Sequence, residues 1–253
     1  MKLTDTHAHY DDEAFDSDRD VLLQGLFSET VGKIVTIGCA LDRWQPTIDL
    51  AEKYPNMYAA LGLHPEDIDG VPSDWRQRLT ALLAHPKAVA LGEIGLDYHY
   101  EGFDRELQIK FFREQIELAE KLELPVIIHS RDAAADTLDI LRDTTPKKAV
   151  MHCFSGSAET AEELVKMGLY ISFTGVLTFK NAKRAVAACR AVPADRLMLE
   201  TDCPYMAPVP YRGERCHSGM ILSTAAKMGE IKGYSAEEMI RICNENAERF
   251  FGF

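Results

Sequence analysis

The sequence predicts an α/β fold, and specifically a (β/α)8 TIM barrel. Eight short runs of apolar and β-branched residues alternate with helical segments over 253 residues, which is a usual length for such a barrel. An open, doubly wound sheet is the alternative, but it more often carries a glycine-rich phosphate loop after its first strand. Residues 4–9 contain no glycine, and this favours the barrel.

The eight predicted strands are nearly continuous in apolar residues. Such continuity is typical of strands buried on both faces, as in a parallel sheet. The runs are residues 3–9, 33–39, 57–64, 88–98, 126–131, 149–154, 170–176 and 197–202.

Amphipathic segments between the strands predict helices, for example over residues 105–123, 132–144 and 157–168. Ser157 and Gly168 have the chemistry of an N-cap and a C-cap for the third of these. Ser235 precedes Glu238 at the spacing of a capping box, which predicts the start of the last helix. Because no Gly/Ser linker or low-complexity stretch divides the chain, we predict one domain over residues 1–253.

The charge balance limits the possible partners. Lys and Arg number 28 against 40 Asp and Glu, for a net charge of −12, so the chain cannot bind DNA by coating it with positive surface. No run is long enough to span a membrane, and the first residues lack the apolar core of a signal peptide. The six cysteines occur singly, as expected of reduced thiols. We therefore predict a soluble, cytoplasmic protein.

Seven ionisable residues lie at or near the carboxyl ends of predicted strands. The carboxyl ends of all barrel strands meet at one face, where active sites form, so these side chains are expected in one mouth. The spacing agrees, since 36 residues separate Glu93 from His129 and 23 separate His129 from His152, about one βα unit each. The seven are His7, His9, His64, Glu93, His129, His152 and Asp202. His85 and His99 do not fit this pattern and are expected at the surface.

Four of these histidines with two carboxylates are too many ligands for one tetrahedral ion, and they suit two divalent ions. One histidine at a strand end is more often an ordinary polar residue, so the prediction depends on the whole set: His7, His9, Glu93, His129, His152 and Asp202. Strand alternation points His7 and His9 to the same side. Glu93 has two oxygens with which to bridge the ions, and Asp202 can bind one ion and accept a proton from its water. Such a pair generates hydroxide and clamps the attacking and leaving oxygens of a displacement.

Six short motifs occur in order along nearly the whole chain: THAH (6–9), GLHP (62–65), GEIGLDY (92–98), IHSRDA (128–133), HCFSGS (152–157) and ETDCPY (200–205). Together they resemble the TatD-type metal-dependent hydrolases, which belong to the amidohydrolase-like barrels. The resemblance implies the ligand set above, with Glu93 as the bridging acid. It also implies a metal-dependent DNase, often an exonuclease acting from the 3′ end. His64 would contact phosphate or orient the nucleophile, and Glu200 would hold a ligand in its orientation.

Substrate contacts are expected just beyond the strand ends, where basic and hydroxyl groups can reach phosphates. The candidates are Arg131, Ser155, Lys180 and Arg212. For Arg131 an ion pair with Asp132 or another rim acid is the alternative. Aromatic residues near the same ends either stack on a nucleobase or close the top of the barrel; they are Tyr98, Tyr100, Phe103, Phe154 and Phe179.

The chain departs from the TatD pattern after its final strand. Family members commonly continue Arg-Gly-x-Arg with Asn-Glu-Pro, whereas here Arg215 is followed by Cys216, His217 and Ser218. The metal ligands are unaffected, but the identity of the substrate is left open. Cys203, directly after a ligand, is expected to be a packed thiol, because a metal-activated water needs no thiolate.

We predict a two-metal DNase, a 3′–5′ exonuclease on single-stranded or frayed DNA ends, that uses a metal-activated water. Magnesium, manganese and zinc all suit these ligands. A monomer with no obligate protein partner is expected. The first alternative is an ester or amide hydrolase, such as an aminoacyl-tRNA deacylase or a cyclic amidohydrolase; Glu93 in place of a bridging carboxylated lysine favours the TatD branch. The second is a non-catalytic, metal-stabilised barrel, which six ligands with open positions disfavour.

Overall fold

Eight parallel strands pair in chain order in the computed structural model, which describes all 253 residues. The segment that follows the last strand closes the barrel against the end of the first through two hydrogen bonds, from Asp202 N to His7 O at 2.9 Å and from His9 N to Cys203 O at 2.8 Å. This closure confirms the predicted barrel. The strands are β1 (Leu3–Ala8), β2 (Val31–Gly38), β3 (Met57–Leu61), β4 (Ala88–Asp97), β5 (Val126–Arg131), β6 (Ala149–Met151), β7 (Tyr170–Phe173) and β8 (Leu197–Leu199).

Helices surround the barrel, and the predicted caps are present. Ser157 Oγ accepts from Thr160 N at 3.2 Å, and Ser235 Oγ accepts from Glu238 N at 3.1 Å. Gly168 follows its helix with a φ of +94°, a conformation that glycine adopts without strain. The helices are α1 (Arg19–Glu29), α2 (Trp44–Lys53), α3 (Trp75–Leu83), α4 (Arg105–Leu122), α5 (Ala134–Thr144), α6 (Ala158–Lys166), α7 (Lys183–Ala191), α8 (Ile221–Lys232) and α9 (Ala236–Phe251). None of them is long and apolar enough to cross a membrane.

Several strands end earlier than the sequence predicts. β3 ends at Leu61, β6 at Met151 and β8 at Leu199, so His64, His152 and Asp202 lie in the loops that follow. The apolar pattern places these strand ends too late because residues remain buried after the hydrogen-bonded part of the strand has ended. Leu63, for example, is 1 % exposed. The strand ends still face the same side of the barrel, which is what the site requires.

Irregular register in β1 and β4 places two candidate ligands. From Asp5 to Ala8, β1 uses one residue more than β2 between the same partners, and from Leu91 to Ile94 β4 does so against β5. A bulge of this kind turns a side chain toward a new direction. The extra residues fall at the segments that carry His7 and Glu93.

Glycines allow β4 to lie unusually close to β5. A Cβ on Gly92 would be 2.6 Å from Ile127 Cβ, and one on Gly95, at a φ of +149°, would be 1.9 Å from His129 O. Only glycine tolerates both positions, so the Gly-Glu-x-Gly spacing is needed to bring Glu93 and His129 together.

The amino end of the barrel is closed, and the carboxyl end is open. Phe250 and Phe251 of α9 pack with the side chains that fill the barrel interior, such as Val35 and Ile127. Phe253 stacks on Tyr58 at the start of β3. Because α9 closes the amino end, a substrate has access at the carboxyl ends of the strands.

Candidate metal centre

Glu93 occupies the centre of a cluster of imidazoles at the open end. Its Oε1 lies 2.8 Å from His152 Nε2 and 2.9 Å from His129 Nδ1. Its Oε2 lies 3.2 Å from His7 Nε2 and 3.9 Å from His9 Nε2. The Glu93 side chain is 5 % exposed, so this carboxylate is buried among ring nitrogens rather than solvated.

The donors fall into two sets that meet at Glu93. In the first, His7 Nε2 lies 3.2 Å from His9 Nε2, and Asp202 Oδ1 lies 3.3 Å from His9 Nε2. In the second, His129 and His152 face Oε1 of Glu93, with His64 Nε2 at 3.9 Å from the same oxygen. Three compact groups of donors, each within 4.8 Å, occur in this cluster: His7, Glu93 and His152; His7, His9 and Asp202; and His64, Glu93 and His129. The structure thus brings all six sequence-predicted ligands together, with His64 beside them.

The chemistry of this donor set fits divalent metal ions. His7 Nε2 and His9 Nε2 face each other and the carboxylates at short range, as ligand lone pairs do around a shared cation. His7 is fully buried and its Nδ1 has no hydrogen-bond partner, so the contacts of its ring are those of Nε2 with the other donors of the cluster.

The cluster keeps its two central carboxylates ionised. Burial alone would raise the pKa of Glu93, but the imidazoles of His152, His7 and His129 outweigh it and hold that pKa well below the usual range. Burial likewise opposes ionisation of Asp202, and the hydrogen bond from His9 outweighs it, so the pKa of Asp202 is lowered. Both groups are therefore in the form that binds a cation.

Asp97 orients His129, and the sequence analysis missed it. Its Oδ2 lies 2.9 Å from His129 Nε2, while Oδ1 accepts from His99 N at 2.8 Å. A carboxylate on the second nitrogen of a ligating histidine fixes the ring and its tautomer. The strand alternation was an available signal, because Asp97 lies four residues after Glu93 on the same face of β4.

Glu200 lies beside His152, as the resemblance implies. Its Oε1 accepts from Cys153 N at 2.6 Å and its Oε2 accepts from Ser172 Oγ at 2.7 Å. Oε1 is also 3.4 Å from His152 Nδ1, close enough to attract the ring but not aligned as a hydrogen bond.

Asp5 is a second buried carboxylate that the sequence analysis missed. It accepts from Thr201 Oγ1 at 2.6 Å, from Thr201 N at 3.0 Å and from His7 N at 3.3 Å. These bonds join β1 to the residue before Asp202. Burial raises the pKa of Asp5 to about 7 in spite of the hydrogen bonds from Thr201. The presence of an acidic residue within an otherwise apolar predicted strand was the sequence signal that could have identified Asp5.

A cavity of about 600 Å³ opens above the cluster. Of the predicted substrate contacts, Arg131 and Ser155 line it, whereas Lys180 and Arg212 lie outside its lining. The Arg212 guanidinium packs 3.8 Å from the centre of the Phe179 ring and donates to Ala207 O at 2.9 Å. Arg212 therefore stabilises the loop that carries Ala207 through its contacts with Phe179 and the Ala207 carbonyl.

Among the predicted aromatic contacts, Tyr100 lines the cavity. Tyr98 donates its hydroxyl to Asp136 at 2.7 Å, and Phe154 is buried in the core. Phe103 and Phe179 lie outside the cavity lining. Tyr205 and the acids Glu66 and Asp67 also line it and were not singled out from the sequence.

The segment that departs from the TatD pattern lies behind the cavity wall. Cys216 and Ser218 are buried, and Ser218 Oγ lies 2.8 Å from Tyr10 OH. His217 Nδ1 accepts from Gly219 N at 3.2 Å. None of these residues lines the cavity, so the departure acts on the packing behind the site.

The remaining cysteines and histidines agree with their expectations. Cys203 is buried, as expected of a packed thiol, and all six cysteines are free. His85 Nε2 lies 2.9 Å from Glu52, and His99 Nδ1 lies 2.9 Å from Asp132. Both rings are outside the metal cluster.

Comparison with known proteins identifies the family. The family model described as "TatD related DNase" matches residues 4–252. The chain belongs to the TatD related DNase family. It is 40 % identical over 251 residues to the "Uncharacterized metal-dependent hydrolase YabD" of Bacillus subtilis, covering 98 % of each chain. It is 38 % identical to the similarly described YcfH of Escherichia coli, covering 99 % of this chain and 96 % of that one.

A solved TatD homologue has the same fold. YJJV from Escherichia coli superposes with a TM-score of 0.93 at 31 % identity, over 99 % of this chain and 98 % of that one. The family and the buried donor cluster together identify the protein as a metal-dependent hydrolase of the TatD family, and the cluster as the place where it can bind metal.

Proposed function

We propose that this TatD-family hydrolase is a two-metal DNase that releases nucleotides from the 3′ ends of single-stranded or frayed DNA. The observation that carries the proposal is that the two oxygens of Glu93 face two different sets of donors. Oε2 faces the first set, His7, His9 and Asp202, and Oε1 faces the second set, His129 and His152. When bound, two divalent ions would lower the pKa of water and stabilise the phosphate oxygens.

Asp202 is proposed to accept the proton of the attacking water. Its side chain is 14 % exposed and lines the cavity, so it is within reach of both solvent and the cluster. Its lowered pKa keeps the carboxylate ionised at neutral pH, which is the form that can take a proton.

His64 is proposed to donate a hydrogen bond to the phosphate. Its Nδ1 accepts from Glu66 N at 3.3 Å, and this assigns the proton of the neutral ring to Nε2. Nε2 is the atom that faces the cluster, 3.9 Å from Glu93 Oε1. Burial lowers the pKa of His64 to about 4, so the ring is neutral at physiological pH. A neutral donor aimed at the site of charge development stabilises the transition state without itself titrating.

Arg131 and Ser155 are proposed to contact the phosphates that flank the cleaved bond. Asp132, the alternative partner of Arg131, lies instead against His99, and Arg131 has no carboxylate within 4.0 Å. Its guanidinium lies 5.2 Å from the centre of the Tyr100 ring, at the edge of the cavity. A free, exposed guanidinium at this edge is available to a phosphate.

The test begins with protein stripped of metal, to which Mg²⁺, Mn²⁺ or Zn²⁺ is returned separately. Each form is incubated with single-stranded oligodeoxynucleotides labelled at the 3′ or the 5′ end, with Glu93→Ala as the control for contaminating nuclease. We expect metal-dependent release of mononucleotides, with the 3′ label lost first, and none from the variant.

Equal inertness of wild type and variant with every metal would contradict DNase activity. Ester and aminoacyl-tRNA substrates would then be tested with the same proteins, because an activated water also attacks a carbonyl carbon. The proposal treats the chain as a cytoplasmic monomer acting without a protein partner, and sedimentation of the active form checks the monomer.

A further inference from the structure

An exposed apolar surface borders the cavity. Tyr100 is 52 % exposed, Tyr205 56 % and Met206 38 %, and all three line the cavity above the cluster. We call these three residues the apolar rim. Tyr100 follows β4 whereas Tyr205 and Met206 follow β8, so large apolar side chains border the cavity from two sides. Exposed apolar side chains beside a functional cavity are typical of a surface that binds a ligand.

The loop that carries Tyr205 and Met206 is held in place. Tyr205 N donates to Asp202 O at 3.0 Å, and Tyr205 OH donates to Asp12 Oδ2 at 3.0 Å. Val209 N donates to Thr178 Oγ1 at 2.8 Å. A Cβ on Gly175 would lie 2.1 Å from Met206 O, so the loop packs directly on the backbone that follows β7. The rim is therefore exposed in an ordered loop and is organised before any ligand arrives.

The charges around the cavity provide little attraction for a polyanion beyond the cluster. Glu66 and Asp67 line the cavity, and Arg131 is the one Lys or Arg side chain that does so. The whole chain carries a net charge of −12. Beyond the contact proposed for Arg131, a nucleic-acid strand held at one phosphate by the cluster must therefore gain the rest of its binding from contacts that are not ionic.

We propose that the apolar rim stacks the unpaired bases next to the scissile phosphodiester, with Tyr205 as the main platform; this rests on the proposed function. Aromatic rings bind every base through its π-face, without sequence preference and without requiring basic residues. Bases within a duplex are already stacked on their neighbours and cannot reach the rim. The rim thus selects single-stranded or frayed ends.

The first experiment compares Tyr205→Ala, Tyr205→Phe and Tyr211→Ala in the metal-loaded enzyme, with single-stranded oligothymidylate as substrate. Tyr211 is the matched control, because it lies on the same loop at 38 % exposure but does not line the cavity. We expect Tyr205→Ala to raise KM by about tenfold with kcat within about twofold, since loss of one stacking platform weakens binding by this order. Tyr205→Phe keeps the ring and should restore KM, and Tyr211→Ala should match wild type.

A second measurement follows stacking directly. An oligonucleotide with 2-aminopurine beside an uncleavable terminal linkage should lose fluorescence on binding to wild type and to Tyr205→Phe, but not on binding to Tyr205→Ala. The KM of wild type should also depend weakly on salt, because Arg131 is the one Lys or Arg in the cavity lining. One phosphate neutralised by Arg131 predicts a slope of log KM against log salt of about 0.7.

Three results would overturn the inference while leaving the DNase activity intact. The first is a Tyr205→Ala variant whose KM and fluorescence change on binding equal those of the active wild type. The second is a salt slope of several units, and the third is a wild-type dimer that the Tyr205→Ala substitution dissociates. The last would show that a second copy of the chain covers the rim. A wild type that cleaves no DNA with any metal overturns the proposed function and the inference together.

Discussion

The base and the rim of the cavity are built in opposite ways. At the base, the side chains of Glu93 and His152 are at most 5 % exposed, and their polar atoms face partners from several different strands. At the rim, Tyr100 and Tyr205 are more than half exposed, and Arg131 has no ion pair. The base lies at the ends of the strands or in the buried residues that directly follow them, whereas Tyr100 and Tyr205 lie on exposed parts of the loops. The difference indicates that the reaction chemistry is fixed by the barrel, while the choice of substrate depends on the loops.

Replacement of Glu93 by Gln should have the largest effect, because this carboxylate directs one oxygen to each set of donors. We expect metal content to fall and kcat/KM to drop by on the order of 10³-fold or more, since activation of water depends on the ions. Metal analysis and kinetics measure this. Glu66→Gln, at the rim of the same cavity, is the control and should lose little. Equal losses of kcat/KM in Glu93→Gln and Glu66→Gln would contradict the difference proposed between the base and the rim.

His64→Gln should lower kcat by about 10²-fold, the usual cost of one donor aimed at developing negative charge. The pKa of His64 is lowered to about 4, so the ring is neutral above that pH and gains a proton only below it. A fall in activity between pH 7 and pH 5 therefore does not come from His64. The pH–rate profile of the variant should keep the acid midpoint of the wild type, and a shifted midpoint would contradict the neutral-donor role.

Asp97→Asn should weaken one metal site and spare the other. Asp97 touches only His129 among the donors, and loss of such an orienting carboxylate typically costs about 10–100-fold in metal affinity. Calorimetric titration of the metal-free protein should show one of two binding steps weakened. Asp136→Asn, which removes the partner of Tyr98 OH away from the donors, is the control. Weakening of both steps alike would indicate a general loss of structure instead.

The smallest effects are expected for two cations, Arg131 in the cavity lining and Lys180 outside it. Arg131→Ala should raise KM for an oligonucleotide by about fivefold, because one exposed, charge-assisted contact is lost. Lys180→Ala should change KM by less than about twofold, since Lys180 is exposed and outside the cavity lining. Initial rates at fixed ionic strength compare the two. A larger effect at Lys180 would mean that the bound strand runs past the cavity toward α7.

Much of the centre could be predicted because its residues follow from the barrel period. Apolar runs at regular spacing give eight parallel strands, and a histidine or acid at the end of each run is then brought to one face. His7 and His9, two residues apart at the end of β1, were expected on the same side from strand alternation. For this reason six candidate ligands that lie up to 195 positions apart, from His7 to Asp202, could be predicted to meet at one face.

The sequence by itself thus determined the barrel, the open end and the residue types gathered there. The order of the apolar residues specifies which segments are buried and how regularly the strands repeat. The tertiary structure alone decided where the ladders end, that bulges turn His7 and Glu93 inward, and that Asp97 and Asp5 support the cluster. It also decided that Arg212 packs on Phe179 while Tyr205 faces the cavity. The physical reason is that the direction of a loop side chain is set by contacts with segments distant in the chain, and no local pattern encodes those contacts.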